Sequence, residues 1–187
     1  MQSFWINETM IYDGSQLRSL FAYMEYEIMG DSIVSWRGGC DISRDHMVDG
    51  EDLLANAEIR GSDMIHFIVE CFDSTLGAAV GYQRLFTNIV REAIYELNPK
   101  WEGQLQRDGD DLYFDKRKLS ISIATVSPVS ALIHFAVNVN YEGTPVPTLG
   151  LRDLEVDPTD FANRVMEKWT EEFRSIKQAT QKVKWVR

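Results

Sequence analysis

Two segments near the middle of the chain, 118–125 and 131–140, carry the side chains best suited to binding a small polar ligand. The first begins with Lys118, and the second contains His134 and Asn138 on the side opposite a row of apolar residues. The other residues on these polar sides are mostly serine and alanine, which leave room for a ligand beside an ammonium, an imidazole and a carboxamide. A solvated outer face of an antiparallel sheet explains the same alternation equally well.

Each segment alternates with the two-residue period of a β-strand, and together the two predict a hairpin. Each predicted strand has one apolar face and one face of small or polar residues. Whether the two polar faces coincide depends on the loop at 127–130, because a slip of one residue turns a whole strand over. The sequence therefore leaves open whether Lys118 lies beside His134 and Asn138.

A second candidate site is the run Arg37-Gly38-Gly39, which follows a short strand predicted over 32–36. Two adjacent glycines free the backbone for a tight turn or for close approach to a ligand. The arginine guanidinium can grip a carboxylate or a phosphate. His46 follows in an acidic loop without hydrophobic periodicity. We therefore expect a ligand-binding turn at the two glycines.

Histidines and carboxylates between residues 46 and 70 raise the question of a metal site. His66 and Glu70 are four residues apart on a predicted strand, so about 13 Å separates their backbones and they cannot readily share one ion. The acidic loop also lacks the ligand spacing of a calcium-binding loop. The sequence therefore predicts no metal site among these residues, which are His46, Asp49, Glu51, Asp52, His66 and Glu70.

The spacing of apolar residues predicts the elements that position these side chains. They are an amphipathic helix over about 15–29, a strand over 63–72, a long helix from Ser74 or Thr75 to Pro99, three strands between 104 and 140, and a closing helix that starts at Asp157-Pro158. Because helices and strands do not alternate regularly, we predict an α+β fold with a mixed, mostly antiparallel sheet covered by the long helix and the C-terminal helix. No linker or repeat divides the chain, and we expect one domain over 1–187.

Composition narrows the class of protein. The chain has 187 residues and a formal net charge of −10, and such acidity argues against nucleic acid as a partner. The sequence shows no secretory signal and no stretch that could cross a membrane, so we expect a cytoplasmic location and no membrane partner. Cys40 and Cys71 lie in unlike contexts, which favours reduced thiols over a disulfide.

These motifs together resemble those of the biotin ligases, lipoate–protein ligases and octanoyl transferases. KLSISIATV at 118–126 and HFAVNVN at 134–140 are similar to a strand pair of these enzymes, and residues 110–112 resemble the Asn-Asp-Ile/Leu that precedes it. Residues 37–39 with His46 are similar to the segment that binds the acyl ligand and phosphate in the lipoate enzymes. The chain is also identified as a member of an uncharacterised, largely archaeal domain-of-unknown-function family with the class II aminoacyl-tRNA synthetase and biotin–lipoate ligase-like fold.

The resemblance covers roughly residues 30–145 and implies a function and a site. It implies that the protein activates or transfers a small carboxylic acid through an acyl-adenylate, with ATP and Mg²⁺ as cofactors and Lys118 as the catalytic cation. The partner is then a small carboxylic acid or a nucleotide, and the family habit of edge-to-edge pairing implies a homodimer. The ligand-binding residues that the resemblance implies are Arg37, Gly38, Gly39, His46, His134 and Asn138.

The sequence also departs from the family pattern. His46 lies two residues further from Arg37 than in the lipoate enzymes, and the G-R-G-R-x-G loop and K-W-P-N-D motif of the biotin ligases are absent. No cysteine follows the histidine strand, so a thioester route is not expected, whereas an adenylate route needs no cysteine. Two other hypotheses stay open: a non-catalytic module that binds a small acid or nucleotide, and a structural homodimer.

Overall fold

A computed structural model describes residues 1–141 and 146–186 of the chain. Its helices are α1 (Phe21–Tyr26), α2 (Gly50–Ala55), α3 (Leu76–Leu97) and α4 (Pro158–Thr180), with short 3-10 turns at Arg44–His46 and Pro99–Trp101. Its strands are β1 (Gln2–Trp5), β2 (Ser32–Asp41), β3 (Arg60–Phe72), β4 (Gln106–Asp108), β5 (Asp111–Phe114), β6 (Arg117–Lys118), β7 (Ser120–Val126) and β8 (Ser130–Asn140). None of the helices in the two described ranges combines the length and apolarity of a bilayer-spanning segment.

Five strands form the main sheet in the order β1-β2-β3-β8-β7. β1 runs parallel to β2, and every other neighbouring pair in this sheet is antiparallel. The short strands β4, β5 and β6 form a separate antiparallel sheet that precedes β7 along the chain. The predicted α+β fold with a mixed, mostly antiparallel sheet is confirmed.

Helices α3 and α4 cover one face of the main sheet, as the sequence predicts. Thr75 caps α3 by accepting a hydrogen bond from a backbone N–H of the first turn, and Asp157 caps α4, with proline at the first helical position. The apolar sides of both helices meet the sheet around Phe86, Phe135 and Trp169, whose ring centroids lie 5.1 to 5.2 Å apart. Burial of these aromatic rings anchors both helices on the sheet.

The opposite face of the sheet is covered by the chain that precedes β2, and not by long helices. Of the helix predicted over about 15–29 only α1 forms, because the residues that flank it, Leu20 and Glu27, have left-handed φ angles of 63° and 58°. The prediction of one continuous helix is therefore wrong. The Leu20 N–H donates to the Glu70 carboxylate of β3 at 2.9 Å, which fixes this segment on the sheet.

Strand β2 continues through the paired glycines, where the sequence predicts a turn. It pairs with β3 along its length, with a bulge between Gly38 and Cys40. A Cβ atom on Gly38 would lie 1.9 Å from the carbonyl oxygen of Met10, so this glycine lets the N-terminal segment cross directly over the strand. The prediction of a turn at residues 37–39 is wrong, because the glycines serve a close backbone crossing inside a strand.

The register of β7 and β8 decides whether their polar faces coincide. Ile123 pairs with His134, whereas Ser122 lies opposite Phe135. Paired residues share one face of a sheet, so the polar faces of the two strands lie on opposite sides. The Ser122 hydroxyl instead accepts a hydrogen bond at 2.8 Å from the Gln83 side chain of α3.

Candidate functional site

A cleft lies on the sheet face away from α3 and α4, between β7 and β8 on one side and the segment 46–60 on the other. Its outer part, the outer cavity, has a volume of about 480 Å³, and its inner part, the inner cavity, of about 50 Å³. Asp52, Ile59 and Ile121 line both cavities, which therefore adjoin. A third cavity of about 440 Å³ is lined wholly by residues between 41 and 60, and His46 is not among them.

A break between β6 and β7 determines where Lys118 lies. Leu119 falls between the two strands and packs in the core on the helix side, whereas Ile121 packs against the opposite face. The two-residue alternation is therefore reset at Leu119. As a result Lys118 lines the outer cavity together with Ile121 and Asn138, although the polar faces of β7 and β8 do not coincide.

The Lys118 ammonium is held by a carboxylate at the edge of the outer cavity. Its Nζ lies 2.7 Å from Asp111 Oδ2, and about a quarter of each side chain is exposed, at 28% and 22%. Burial raises the pKa of Asp111, against the opposing effect of the Lys118 charge. Tyr113 donates a hydrogen bond to the same carboxylate at 3.1 Å. The ion pair therefore orients the ammonium while leaving it accessible from the cavity.

Asn138 supports the strand break beside Lys118. Its Nδ2 donates to the Leu119 carbonyl at 2.9 Å and lies 3.4 Å from the Lys118 carbonyl. The Lys118 backbone is fixed on its other side by Pro147 and Leu149, through hydrogen bonds of 2.9 and 3.0 Å. Asn138 lines the outer cavity, but its amide N–H groups serve the backbone, so its contribution to the cavity is chiefly the positioning of Lys118.

Carboxylates predominate in the wall of the outer cavity. Arg60 and Lys118 are the cationic side chains among its lining residues in the described part of the chain. Burial, followed by the nearby Asp49 charge, raises the pKa of Asp52. This wall attracts cations and disfavours an unaccompanied polyphosphate. The lining carboxylates are those of Asp49, Glu51, Asp52, Glu58, Asp110 and Asp111.

His134 lies at the inner cavity, where it forms a buried pair with His66 of β3. His134 Nε2 and His66 Nδ1 are 3.1 Å apart, and the His134 ring stacks on Tyr12 with a centroid distance of 3.6 Å. His66 also stacks on Trp36, with its Nε2 3.3 Å from the Gly38 carbonyl oxygen. Burial lowers the pKa of His66 to about 4 and that of His134 well below its usual value, so both rings are neutral at pH 7.

His46 is the third predicted ligand-binding residue to reach the cleft region, after Asn138 and His134. It ends a short 3-10 turn, lines the inner cavity and remains exposed. Its Nδ1 lies 3.1 Å from the Asp13 carbonyl oxygen. A Cβ atom on Gly14 would lie 2.6 Å from the His46 Cβ, so the N-terminal segment packs closely against this histidine. The structure therefore brings His46 to the same cavity as His134.

Arg37 and the paired glycines do not join the cleft. Arg37 lies directly across the β2–β3 pair from Ile65, whose side chain is in the core on the helix side. Its guanidinium forms two hydrogen bonds with the Asp63 carboxylate, at 2.8 and 2.7 Å. Neither Gly38 nor Gly39 lines the outer or inner cavity. The structure thus separates the arginine and both glycines from Lys118.

The described residues hold no group of three or more histidine, cysteine, aspartate or glutamate side chains arranged to bind a metal ion. Glu70, considered above as a ligand, instead accepts hydrogen bonds from the Leu20 N–H and the Ser130 hydroxyl. Cys40 and Cys71 are buried free thiols. These contacts give Glu70 a structural role in joining the N-terminal segment to the sheet.

The chain is similar to proteins of one known family. The model of the family described as "Domain of unknown function (DUF366)" matches residues 1–184. The chain belongs to the DUF366 family. The DUF366 chain is 36% identical over 166 residues to the uncharacterized protein MJ0805 of Methanocaldococcus jannaschii, covering 86% of this chain and 73% of the relative.

Several solved structures share the fold of the DUF366 chain. A protein of unknown function from Pyrococcus horikoshi is similar with a TM-score of 0.92 and 40% identity over the whole of both chains. Biotin protein ligase from Aquifex aeolicus in complex with biotin and ATP has a TM-score of 0.61 at 14% identity, covering 95% of this chain and 72% of the ligase. LipL1 of P. falciparum in complex with lipoate has a TM-score of 0.56 at 9% identity, covering 93% of this chain and 62% of that one.

Sequence reasoning missed three parts of this site. Tyr12 stacks on His134 from a segment whose pattern predicts no element, and no local signal marks it. The residue type of His66 suggests only a metal ligand, whereas its position inside an apolar strand indicates burial. Asp111 belongs to a motif in the sequence, but its ion pair with Lys118 depends on the β5–β6 pairing, in which Tyr113 lies opposite Lys118.

Proposed function

We propose that this DUF366 protein binds a small carboxylic acid in the outer cavity and activates it as an acyl-adenylate, with Lys118 as the central cation. The observation that carries the proposal is the position of Lys118: a half-buried ammonium on a fixed backbone, in a cavity of about 480 Å³ beside Asn138. Cavities of this size hold small ligands. Neighbours of the same fold are described in complex with biotin and ATP or with lipoate, which supports an acid as the ligand.

Lys118 has two tasks in the proposed reaction. An oxygen of the acid forms a bond to the α-phosphorus of ATP, and the bond from that phosphorus to the pyrophosphate oxygen breaks with its electron pair on pyrophosphate. The ammonium first attracts the acid carboxylate and then stabilises the negative charge that accumulates on the α-phosphoryl oxygens. Asp111 keeps the ammonium pointed at the cavity edge through the 2.7 Å ion pair.

The carboxylates of the outer cavity would repel the phosphates of free ATP. Mg²⁺ neutralises phosphate charge and is usually held by one or two carboxylates together with phosphates and water. Asp49 and Asp52 line the outer cavity and fit that role, whereas the described residues offer no closed metal cage. The proposal therefore requires ATP to bind as its Mg²⁺ complex.

A second candidate is a binding module that holds a small acid without turnover. The six carboxylates of the outer cavity favour this candidate. Lys118 and Arg60 are the two cations there, and they offset little of the repulsion between these carboxylates and a triphosphate. The sequence also lacks the glycine- and arginine-rich nucleotide loop of the biotin ligases. A homodimer stays a separate prediction, which sedimentation velocity at micromolar concentration tests.

The test is pyrophosphate exchange into ATP with biotin, lipoic acid and octanoic acid, each with Mg²⁺. We expect exchange with at least one acid and a loss of about 100-fold or more in Lys118→Met, the size of effect typical for a lost charge-stabilising group. Lys116→Met is the matched control, because Lys116 is an exposed lysine two positions away, and it should exchange at the wild-type rate.

The outcomes separate the two candidates. Exchange that Lys118→Met retains would contradict the role of Lys118. Absence of exchange, together with a rise in melting temperature on addition of an acid, would support the binding module instead. Absence of both exchange and stabilisation would reject both candidates.

A further inference from the structure

The buried histidine pair holds a defined arrangement of protons. His66 Nε2 lies 3.3 Å from the Gly38 carbonyl oxygen, which can only accept, so this nitrogen carries the hydrogen. A neutral His66 then has a lone pair on Nδ1. His134 Nε2 lies 3.1 Å from that atom and must donate to it. In a neutral His134 the remaining nitrogen, Nδ1, is therefore an acceptor.

The surroundings keep both rings neutral. His66 and His134 are 0% and 2% exposed, and aromatic rings cover their faces, with Trp36 and Tyr12 on His66 and Tyr12 on His134. No carboxylate among the described residues forms a hydrogen bond or ion pair with either imidazole. Charging such a pair would bury an uncompensated cation.

The inner cavity receives the free side of His134. Its wall combines apolar residues, such as Leu17, Ile121 and Ile123, with polar ones, which are Tyr12, His46, Asp49, Asp52, Ser122 and His134. Of the polar ones, His134 and Tyr12 are buried. No described residue forms a hydrogen bond with His134 Nδ1 or with the Tyr12 hydroxyl. An acceptor that faces a cavity and has no protein partner is satisfied only by water or by a ligand group that donates to it.

We propose that His66 is a positioning residue that locks the tautomer of His134, so that the inner cavity binds a ligand end carrying an N–H or O–H donor. This inference deepens the proposed function and rests on it for the other end of the ligand, the carboxylate at Lys118. His134 and Asn138 are four residues apart on β8, so about 13 Å separates the two ends of the site. The ligand is therefore an elongated acid with a small polar terminus, because the inner cavity measures only about 50 Å³.

The tautomer of His134 can be measured without a ligand. The chain has three histidines, so long-range ¹H–¹⁵N spectra resolve each ring. We expect His134 as the Nε2–H tautomer with an unprotonated Nδ1 at pH 7. In His66→Leu, His134 should become a mixture of tautomers. In His66→Asn, whose side-chain oxygen can still accept from His134, the Nε2–H tautomer should remain. A protonated Nδ1 on His134 in the wild type would overturn the inference.

The ligand end is tested by binding of 8-hydroxyoctanoic acid, 8-aminooctanoic acid and octanoic acid, measured by calorimetry. We expect one or both donor-bearing acids to bind about tenfold more tightly than octanoic acid, with a change in the His134 Nδ1 resonance. The comparison of hydroxyl with ammonium shows which donor is preferred. His134→Gln removes Nδ1 while keeping an amide donor for His66, and it should abolish the preference; its thermal melt verifies folding.

Failure of this inference is distinguishable from failure of the proposed function. Equal binding of all three acids, or no binding of any, overturns the inference. Pyrophosphate exchange with octanoic acid as the better substrate overturns it while leaving activation intact. A preference for a donor-bearing acid without exchange supports it while rejecting the adenylate step.

Discussion

The absence of a side chain at Gly38 allows the N-terminal segment to pack directly on the sheet. The Met10 backbone passes so close that a Cβ on Gly38 would lie 1.9 Å from its oxygen and 2.7 Å from its carbonyl carbon. The Gly38 carbonyl in turn receives the His66 hydrogen bond that fixes the histidine pair. A single glycine therefore joins the packing of the N-terminal segment to the geometry of the inner cavity.

The substitution Gly38→Ala should destabilise the protein by about 3 kcal/mol or more, since backbone cannot move aside as a flexible side chain can. Gly81→Ala is the matched control. Gly81 lies exposed in α3 with nothing within 4 Å of its added Cβ, and alanine there should raise the free energy of unfolding by about 0.5 to 1 kcal/mol. Urea denaturation measures the free energy of unfolding of both variants. Equal effects of the two substitutions would contradict the close passage of the Met10 backbone over Gly38.

At the level of elements, the N-terminal segment depends on β3 for its attachment. Glu70 is 3% exposed and accepts hydrogen bonds from the Leu20 N–H and from the Ser130 hydroxyl, the latter at 2.6 Å. One carboxylate thus connects the segment before α1, the end of β3 and the start of β8. A charge buried in this way is stable only while its partners remain in place.

Glu70→Ala should lower the free energy of unfolding by about 2 to 3 kcal/mol, because it leaves buried donors unpaired. Glu70→Gln should cost less, since its carbonyl oxygen still accepts from one of the two donors. Glu171→Ala on the exposed side of α4 is the control and should change stability by less than about 0.5 kcal/mol. Chemical denaturation provides the comparison, and a neutral Glu70→Ala would exclude the attachment role.

At the scale of the whole molecule, the two buried histidines make stability depend on pH. Burial lowers the pKa of His66 to about 4 and that of His134 well below 6.5. In the unfolded chain both rings take up protons below about pH 6.5. The unfolded state then binds more protons than the native state, so stability falls as the pH falls towards the native pKa values.

Between pH 6 and pH 5 the free energy of unfolding should drop by roughly 2 kcal/mol, from close to two protons at about 1.4 kcal/mol per pH unit each. His134→Gln should reduce that slope by about half. Asp52 and Asp111, whose pKa values burial raises, act in the opposite direction nearer pH 4, which is why the window stops at pH 5. Urea titrations at several pH values give the slope, and a flat profile would show that the pair is not neutral.

Local sequence alone determined the elements on the helix side of the sheet. Thr75 and Asp157 mark the starts of α3 and α4, and strict alternation marks β3 and β8, because capping and periodicity are properties of neighbouring residues. The motifs around 118–140 also indicated the ligase-like fold that the structural neighbours share. Residue type and spacing also predict Lys118, His134 and Asn138 as candidate site residues.

Only the tertiary structure decided which of these residues meet. The reset of alternation at Leu119 brings Lys118 to the cleft, and it arises where the chain leaves its pairing with β5 and begins its pairing with β8. The crossing of Met10 turns the glycines into part of a strand, and the partner of His134 is 68 residues away. Strand register, chain crossings and buried side-chain pairs are non-local, so no window of the sequence contains the information that fixes them.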